Sequence, residues 1–557
     1  MATSDAHETA DVVVRNGAIY TLDRTKPWAE AVAIRDGKLT LVGSNEAARA
    51  VTGAETRVID LGGKMAMPGI LDVHNHHVMG GRATLFECTF PPSLSFEQIL
   101  DTVRARAATA AKDEWIVGGI WPSDLLPRLS SSEARRALDA ASLGRPVMLR
   151  DDTQHNRWVN TRALELAAIT VATPAPANGE IVKDGATGEP IGLLFEHASA
   201  IAEKAAAASG PYTAQNDIAA AERAVQILNS YGVTGFQDAL ASLPILAAMK
   251  AVDDKGALSA WAVASLPAFE APFTSGLAGD ALFAQREAFR GRHLKPDFVK
   301  FVLDGVPTAK TAAFLEPYIA DPVHGCCFRG GTSLPLPELA RWIAKCEKLG
   351  FGVKVHCAGD AAVRQTLDAI DIVRSFNGPT RLLHHIAHAS YIDPPDIKRF
   401  KELNVVADLC PIIWYPNAIV EAIKAAVPEE RAIRFWPNRD LLEAGVLLAA
   451  GSDWPVVPTP DPWIGIETMI TRRDPQGAFP GALWPAQGLD LKTVLEVYTL
   501  NAARAMGLDA VAGSLEVGKS ADLIVLDRNL FEIAPDTIAD TKVLTTFFEG
   551  RVVHQRD

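Results

Sequence analysis

The sequence predicts an α/β protein: a (β/α)8 TIM-like barrel with a small β-sandwich domain built from both termini and an insertion after the first barrel strand. Three observations predict it. Through the middle of the chain, short apolar runs alternate with helix-like segments, the pattern of parallel βα units. Strand-rich stretches punctuated by turns occupy the two ends. Polar residues able to bind a metal recur at the carboxyl ends of the middle strands, where a barrel of this kind places its active site.

Composition bounds the reading. A chain of 557 residues exceeds what one hydrophobic core usually serves, and 48% apolar with 22% charged residues is ordinary for a globular protein. The formal net charge of −13 argues against a nucleic-acid or anionic-membrane partner. No apolar run is long enough to span a bilayer. Residues 1–8 lack the basic start and apolar segment of a signal peptide, so cytoplasmic residence is expected. Six cysteines without a CxxC pair point to reduced thiols.

In chain order, residues 1–66 form the first part of the sandwich. Runs 11–15 and 18–22 flank Asn16-Gly17, and runs 31–35 and 38–43 flank Asp36-Gly37, two hairpin signals. The barrel is expected over 67–506, with strands at 69–76, 233–238, 260–264, 297–303, 352–356, 381–388, 405–409 and 446–453. Gly350 after the helix-like run 337–349 is placed as a helix stop. The gap between the first two strands is too long for one loop, so about 83–225 is an insertion with its own structure, of the kind that forms lids. Residues 507–557 return to complete the sandwich.

The site begins with His74-Asn-His76. Alternating side chains put both imidazoles on one face of a strand, within reach of one ion. Lys300 lies amid Phe298, Val299, Phe301 and Val302, where a buried ammonium is costly unless its charge is changed or compensated. Its amine could take up carbon dioxide to give a carbamate, an anion suited to bridging two cations. His356, His388 and Asp453 end the fifth, sixth and eighth strands. Singly, these are a core histidine, a snorkelling lysine or a capping aspartate; together, on five strand ends, they argue for a shared metal site.

These motifs resemble the amidohydrolase superfamily, specifically the type-3 branch that includes N-substituted formamide deformylase-like enzymes. The resemblance is carried by Met67-Pro-Gly-Ile-Leu-Asp-Val-His-Asn-His76, Val299-Lys-Phe-Val-Leu-Asp-Gly305 and Val355-His-Cys-Ala-Gly-Asp-Ala-Ala362. Ile386-Ala-His-Ala389, Gly451-Ser-Asp-Trp-Pro455 and Gly513-Ser-Leu-Glu-Val-Gly-Lys-Ser-Ala-Asp-Leu523 extend it, and Asp152-Thr-Gln-His155 with Trp158-Val-Asn-Thr-Arg-Ala-Leu164 matches the insertion. It implies that His74, His76 and Asp453 hold one divalent metal and His356 with His388 a second, with carbamylated Lys300 between them. A hydroxide bridging the ions would be the nucleophile, and Asp453 the catalytic proton carrier. Zinc fits these ligands best; manganese or iron also suits them. Ala387 departs from the family, which usually has an acid before the sixth-strand histidine. His384 shares the strand parity of His388 and is a second candidate there; His77 is read as a packing or loop residue.

Trp121, His155, Trp158, Trp414, Tyr415 and Trp454 fall in segments expected near the barrel mouth, as candidates for an apolar pocket accepting an aromatic group. Asp304 and Asp360, close to ligand positions, are candidates for orienting ligands or substrate. The expected function is metal-dependent cleavage of the C–N bond of an N-substituted or N-acyl small molecule with an apolar or aromatic part. A deaminase or an ester or lactone hydrolase on the same site is the alternative, and a non-catalytic scaffold ranks below both. Such a barrel is compatible with a homo-oligomer, although no interface signature stands out.

Overall fold

The computed structural model describes residues 9–152, 154–176, 179–209, 213–270 and 276–556. The amino-terminal segment 1–8, read above for a signal peptide, lies outside the described residues. Eight parallel strands form one sheet in sequence order. They are β1 (Ile70–Asn75), β2 (Val233–Asp238), β3 (Trp261–Pro267), β4 (Leu294–Val302), β5 (Gly352–Cys357), β6 (His384–His388), β7 (Val405–Leu409) and β8 (Leu447–Ala450). The two outermost strands meet where the Asp453 N–H donates to the His74 carbonyl at 2.7 Å, just beyond β8. Gly451 permits that approach, since a Cβ there would lie 2.4 Å from the His74 nitrogen.

The strands are almost wholly buried because helices cover the outside while side chains fill the inside. The helix Leu336–Lys348 illustrates the covering layer: Leu339, Ala340, Ile343 and Cys346 recur at helical spacing and are all buried. Inside the barrel, Leu71, Val73, Val263, Phe298, Val406 and Ala449 pack against the short helix Leu500–Ala505. This apolar plug leaves the opposite end for chemistry.

Both termini build the remaining β structure. Strand Leu523–Leu526 pairs antiparallel with Met65–Pro68, and a second sheet contains Val12–Arg15, Ala31–Arg35, Lys38–Gly43 and Arg57–Asp60. Val14, Val32, Ile34, Leu523 and Phe547 share one core between the two sheets. The segment between β1 and β2 contains a six-stranded sheet running from Cys88 to Glu196, with separate apolar clusters. Among the described residues, no helix is long and apolar enough to cross a membrane.

Candidate metal centre and its cavity

His74, His76, Lys300, His356, His388 and Asp453 all line one cavity of about 290 Å³ at the carboxyl ends of the strands. Local backbone irregularities aim several of them. β1 advances from Asp72 to Asn75 while its partner advances only from Phe236 to Asp238, so β1 carries an extra residue, a bulge. Leu71 and Val73 already face the barrel plug, and strict alternation would send His74 the other way. The bulge instead brings His74 to Asp408, His388 and Asp453. The shared face of His74 and His76 is thus a product of the bulge as well as of strand alternation.

His388 and Asp453 have φ values of +68° and +59°, left-handed conformations that non-glycine residues adopt at a penalty and that cluster at functional sites. This turn separates His388 from His384 despite their equal parity. His384 faces outwards, accepting the Val353 N–H at 3.1 Å and meeting Glu347 at 2.7 Å. It is no part of the cluster. His77 is buried against Asp238 at 2.9 Å, as a packing residue would be.

The His74, His76 and Asp453 ligand atoms lie within 4.8 Å of one another, with His74 Nε2 3.6 Å and His76 Nε2 3.4 Å from the carboxylate. His388 forms a comparable group with Asp453 and Cys410, and its ring centroid is 4.4 Å from that of His356. His356 Nε2 lies 3.1 Å from the Gly305 carbonyl oxygen. Burial, with the charge of neighbouring Lys300, lowers the His74 pKa to about 4 and that of His356 to about 3. His388 is held well below the ordinary range by burial and by His356 and His74. Neutral imidazoles are the form that binds metal. Burial, with the charge of Lys354, also lowers Lys300 to about 8. Asp453 stays below the usual carboxylate range: burial raises its pKa, but the hydrogen bond from His76 and the charges of His74, His76 and Lys300 outweigh that.

Both ring nitrogens of His74 and Nδ1 of His76 are buried without a hydrogen-bond partner. Orphaned buried polar atoms are unfavourable, and one of them, His74 Nε2, faces the Asp453 carboxylate beside His76 Nε2. This donor set fits a divalent ion.

Asp408 and Cys410 were not anticipated from the sequence. Asp408 lies 3.4 Å from His74 Nδ1 and pairs with Lys354; Cys410 lies 3.6 Å from His388 Nδ1. An acid within the apolar run 405–409 carries the same signal that singled out Lys300.

Most of the expected substrate contacts lie elsewhere. Trp121 and Trp158 are in the core of the inserted sheet, where Trp121 donates to the Leu149 carbonyl at 3.1 Å. Trp414 is buried, stacked 3.2 Å from Trp436, and it is Trp436 that reaches the cavity wall. Trp454 packs on Gly80 and lines a neighbouring cavity of about 340 Å³. These rings gain more by burying their full area than by facing an open cavity. Asp304 accepts N–H groups from Ala313, Ala358 and Gly359 and lies 3.7 Å from His356 Nε2, beside a ligand candidate, whereas Asp360 accepts the N–H of Leu315 and braces a loop. Of this group, only His155 lines the cavity. The far wall is apolar, formed by Ile413, Ile419, Ile423, Phe435 and Trp436.

Comparison with known proteins agrees with this architecture. The profile of the amidohydrolase family matches residues 57–554. The chain is 26% identical to the N-substituted formamide deformylase of Arthrobacter pascens, over 98% of each chain. It is 28% identical to the protein LONG AFTER FAR-RED 3 of Arabidopsis thaliana, over 99% of this chain and 93% of that one. Among solved structures it is similar to an uncharacterized metal-dependent hydrolase of Pyrococcus horikoshii, with a TM-score of 0.74 and 26% identity, covering 94% of this chain and 99% of the other.

Proposed function

The chain belongs to the amidohydrolase family, and from that premise we propose that it is a metal-dependent hydrolase cleaving the C–N bond of an N-substituted or N-acyl small-molecule amide. The observation that carries this reading is the meeting of His74 Nε2, buried without a hydrogen-bond partner, and His76 Nε2 at the Asp453 carboxylate, in a cavity that Lys300, His356 and His388 also line. His74, His76 and Asp453 would hold one ion and His356 with His388 the other. When bound, the ions, zinc being the best match to imidazole and oxygen donors, would bring the pKa of a water towards neutrality and polarise the amide carbonyl.

The protein groups supply the rest. A pKa of about 8 leaves an appreciable fraction of Lys300 as neutral amine near neutral pH. That amine can add to carbon dioxide, forming an N–C bond and releasing one proton, and the resulting carbamate would supply an anionic oxygen ligand for the ions. Asp453, held ionised, accepts the proton of the attacking water and returns it to the leaving nitrogen. The apolar far wall favours a substituent without charge, and its aromatic residues suit an aromatic one. The formamide specificity in the name of the Arthrobacter relative supports trying that class first.

The test is elemental metal analysis of wild type and Lys300→Ala, with hydrolysis of a panel of N-substituted formamides. Two ions per chain, falling together with activity in the variant, support the reading. One ion, indifferent to Lys300, would sink the bridge; ammonia released from amino-substituted heterocycles with no amide turnover would make it a deaminase.

A further inference from the structure

The cavity of about 340 Å³ beside the metal centre lies between the barrel and the inserted sheet. One of its walls is the helix His77–Leu85, which leaves β1 directly after His76. Met79 with Ala83, and Gly80 with Thr84, recur four residues apart, so a single face of that helix lines the space. Trp454 lies against Gly80, where a Cβ would stand 2.4 Å from the indole. The insertion closes the other side with Phe90, Gly118 and Arg150.

Met79, Gln154 and Pro455 line both this cavity and the one that holds the ligand candidates. Met79 stands three residues past His76 and Pro455 two past Asp453, so the two spaces adjoin beside those ligand candidates. The apolar far wall is tied instead to His388, whose carbonyl oxygen accepts the Trp436 Nε1–H. Among the described residues, none of that wall lines the second cavity. The linings also differ in chemistry. Arg150 Nη1 is 2.5 Å from Glu87 Oε2 and its Nε is 3.3 Å from Glu203 Oε1, which also accepts from Arg157 at 2.7 Å. A wall of charges already paired favours an uncharged polar group over an ion, which would have to compete with bonds already made.

The geometry points to a two-armed site: the second cavity takes the amine half of the amide as an uncharged polar substituent, while the acyl half rests against the apolar wall. Met79, Gln154 and Pro455, at the junction, are then specificity-determining residues. This rests on the amide-hydrolysis reading above. In that reading Asp453 returns a proton to the leaving nitrogen, so the nitrogen and what it carries belong on the side where Pro455 continues from Asp453. Each space is near the lower end of the range for ligand pockets, about 300 Å³, enough for one arm apiece. A simple formamide, with hydrogen as its acyl half, leaves the apolar wall uncovered, so a phenylacetyl amide with a polar amine half is the better substrate.

The test uses the metal-loaded full chain and two series of amides. The first keeps a phenylacetyl group and varies the amine half from methyl to 2-hydroxyethyl and 2-carbamoylethyl; the second keeps the best amine half and shortens the acyl group to formyl. In wild type, kcat/KM should rise about 10- to 10²-fold from the methyl to the carbamoylethyl amide, the discrimination that filling a pocket supplies. Amides bearing carboxymethyl or aminoethyl groups should fall below it; a preference for either would overturn the assigned class. Ala83→Trp, which fills the second cavity, should abolish the ratio between carbamoylethyl and methyl amides at the metal content of wild type. Met79→Ala, which removes bulk at the junction, should extend the gain to longer amine halves, and it decides the matter if the tryptophan variant does not fold. A ratio that survives Ala83→Trp, or that Met79→Ala leaves unchanged, would overturn the inference and leave the amide reading standing. Equal slowing of every amide would make the space a product path, and sensitivity to the acyl half instead would reverse the arms; either overturns the inference. Wild type that binds metal but hydrolyses neither series would overturn the amide reading, and this inference with it, before any variant is made.

Discussion

Lys300 on β4 and Lys354 on β5 are partners in register, both buried, and they have opposite environments. The Lys354 ammonium donates to the Asp408 carboxylate and, at 2.8 Å, to the Val73 carbonyl. Among the described residues, no carboxylate lies within salt-bridge distance of Lys300, and its pKa falls to about 8. A buried cation with a partner is part of the structure; one without a partner is pushed towards the neutral amine and becomes reactive. The same residue type in the same layer is thus an internal ion pair on one strand and a candidate ligand precursor on the next.

The largest effect that would sharpen this contrast is catalytic. Lys300→Met should lower kcat about 10²- to 10⁴-fold, corresponding to the several kcal/mol of charge stabilisation a metal centre supplies. A variant of normal activity would break the comparison. Lys354→Met should do the reverse of a purely catalytic lesion, destabilising the fold by about 3–5 kcal/mol in urea unfolding because Asp408 is left buried and unpaired. The double variant Lys354→Met/Asp408→Leu should regain much of that stability, since both charges are then gone.

A smaller effect is the pH dependence of the metal-free protein. A Lys300 pKa depressed in the folded state means the unfolded chain binds more protons between about pH 8 and the unperturbed lysine value of about 10.4. Its contribution is present above that window and is lost as pH falls through about 8. The stability of wild type relative to Lys300→Met should therefore rise from pH 8 to 10; a flat difference would mean Lys300 is paired after all. Smallest of all is His384→Gln, expected to leave metal content unchanged and to destabilise by about 1 kcal/mol through its hydrogen bonds to Glu347 and Val353.

Much of this was legible in the chain before its fold was known. Lys300 stood out because an ammonium in an apolar strand contradicts its surroundings, and the same argument applied to Lys354 and Asp408 would have found the ion pair. The aromatic residues misled: a tryptophan in a loop reads alike whether it lines a cavity or fills a core, and Trp121, Trp158 and Trp414 fill cores. Trp436, in the stretch Arg434-Phe-Trp-Pro437, carried no signal of its place on the cavity wall.

By itself the sequence determined the eight strands, their order and the chemical types at their ends, because strand periodicity, turn residues and side-chain chemistry are local properties. Tertiary structure alone decided the aim of those groups. The bulge that swings His74 inwards exists only against β2, and the turn at His388 is held by what packs around it. Lys354 meets Asp408 across 54 positions, and His155 meets Glu196 across 41. Such pairings depend on which strands become neighbours, and strand pairing is a long-range outcome of burying the whole core at once.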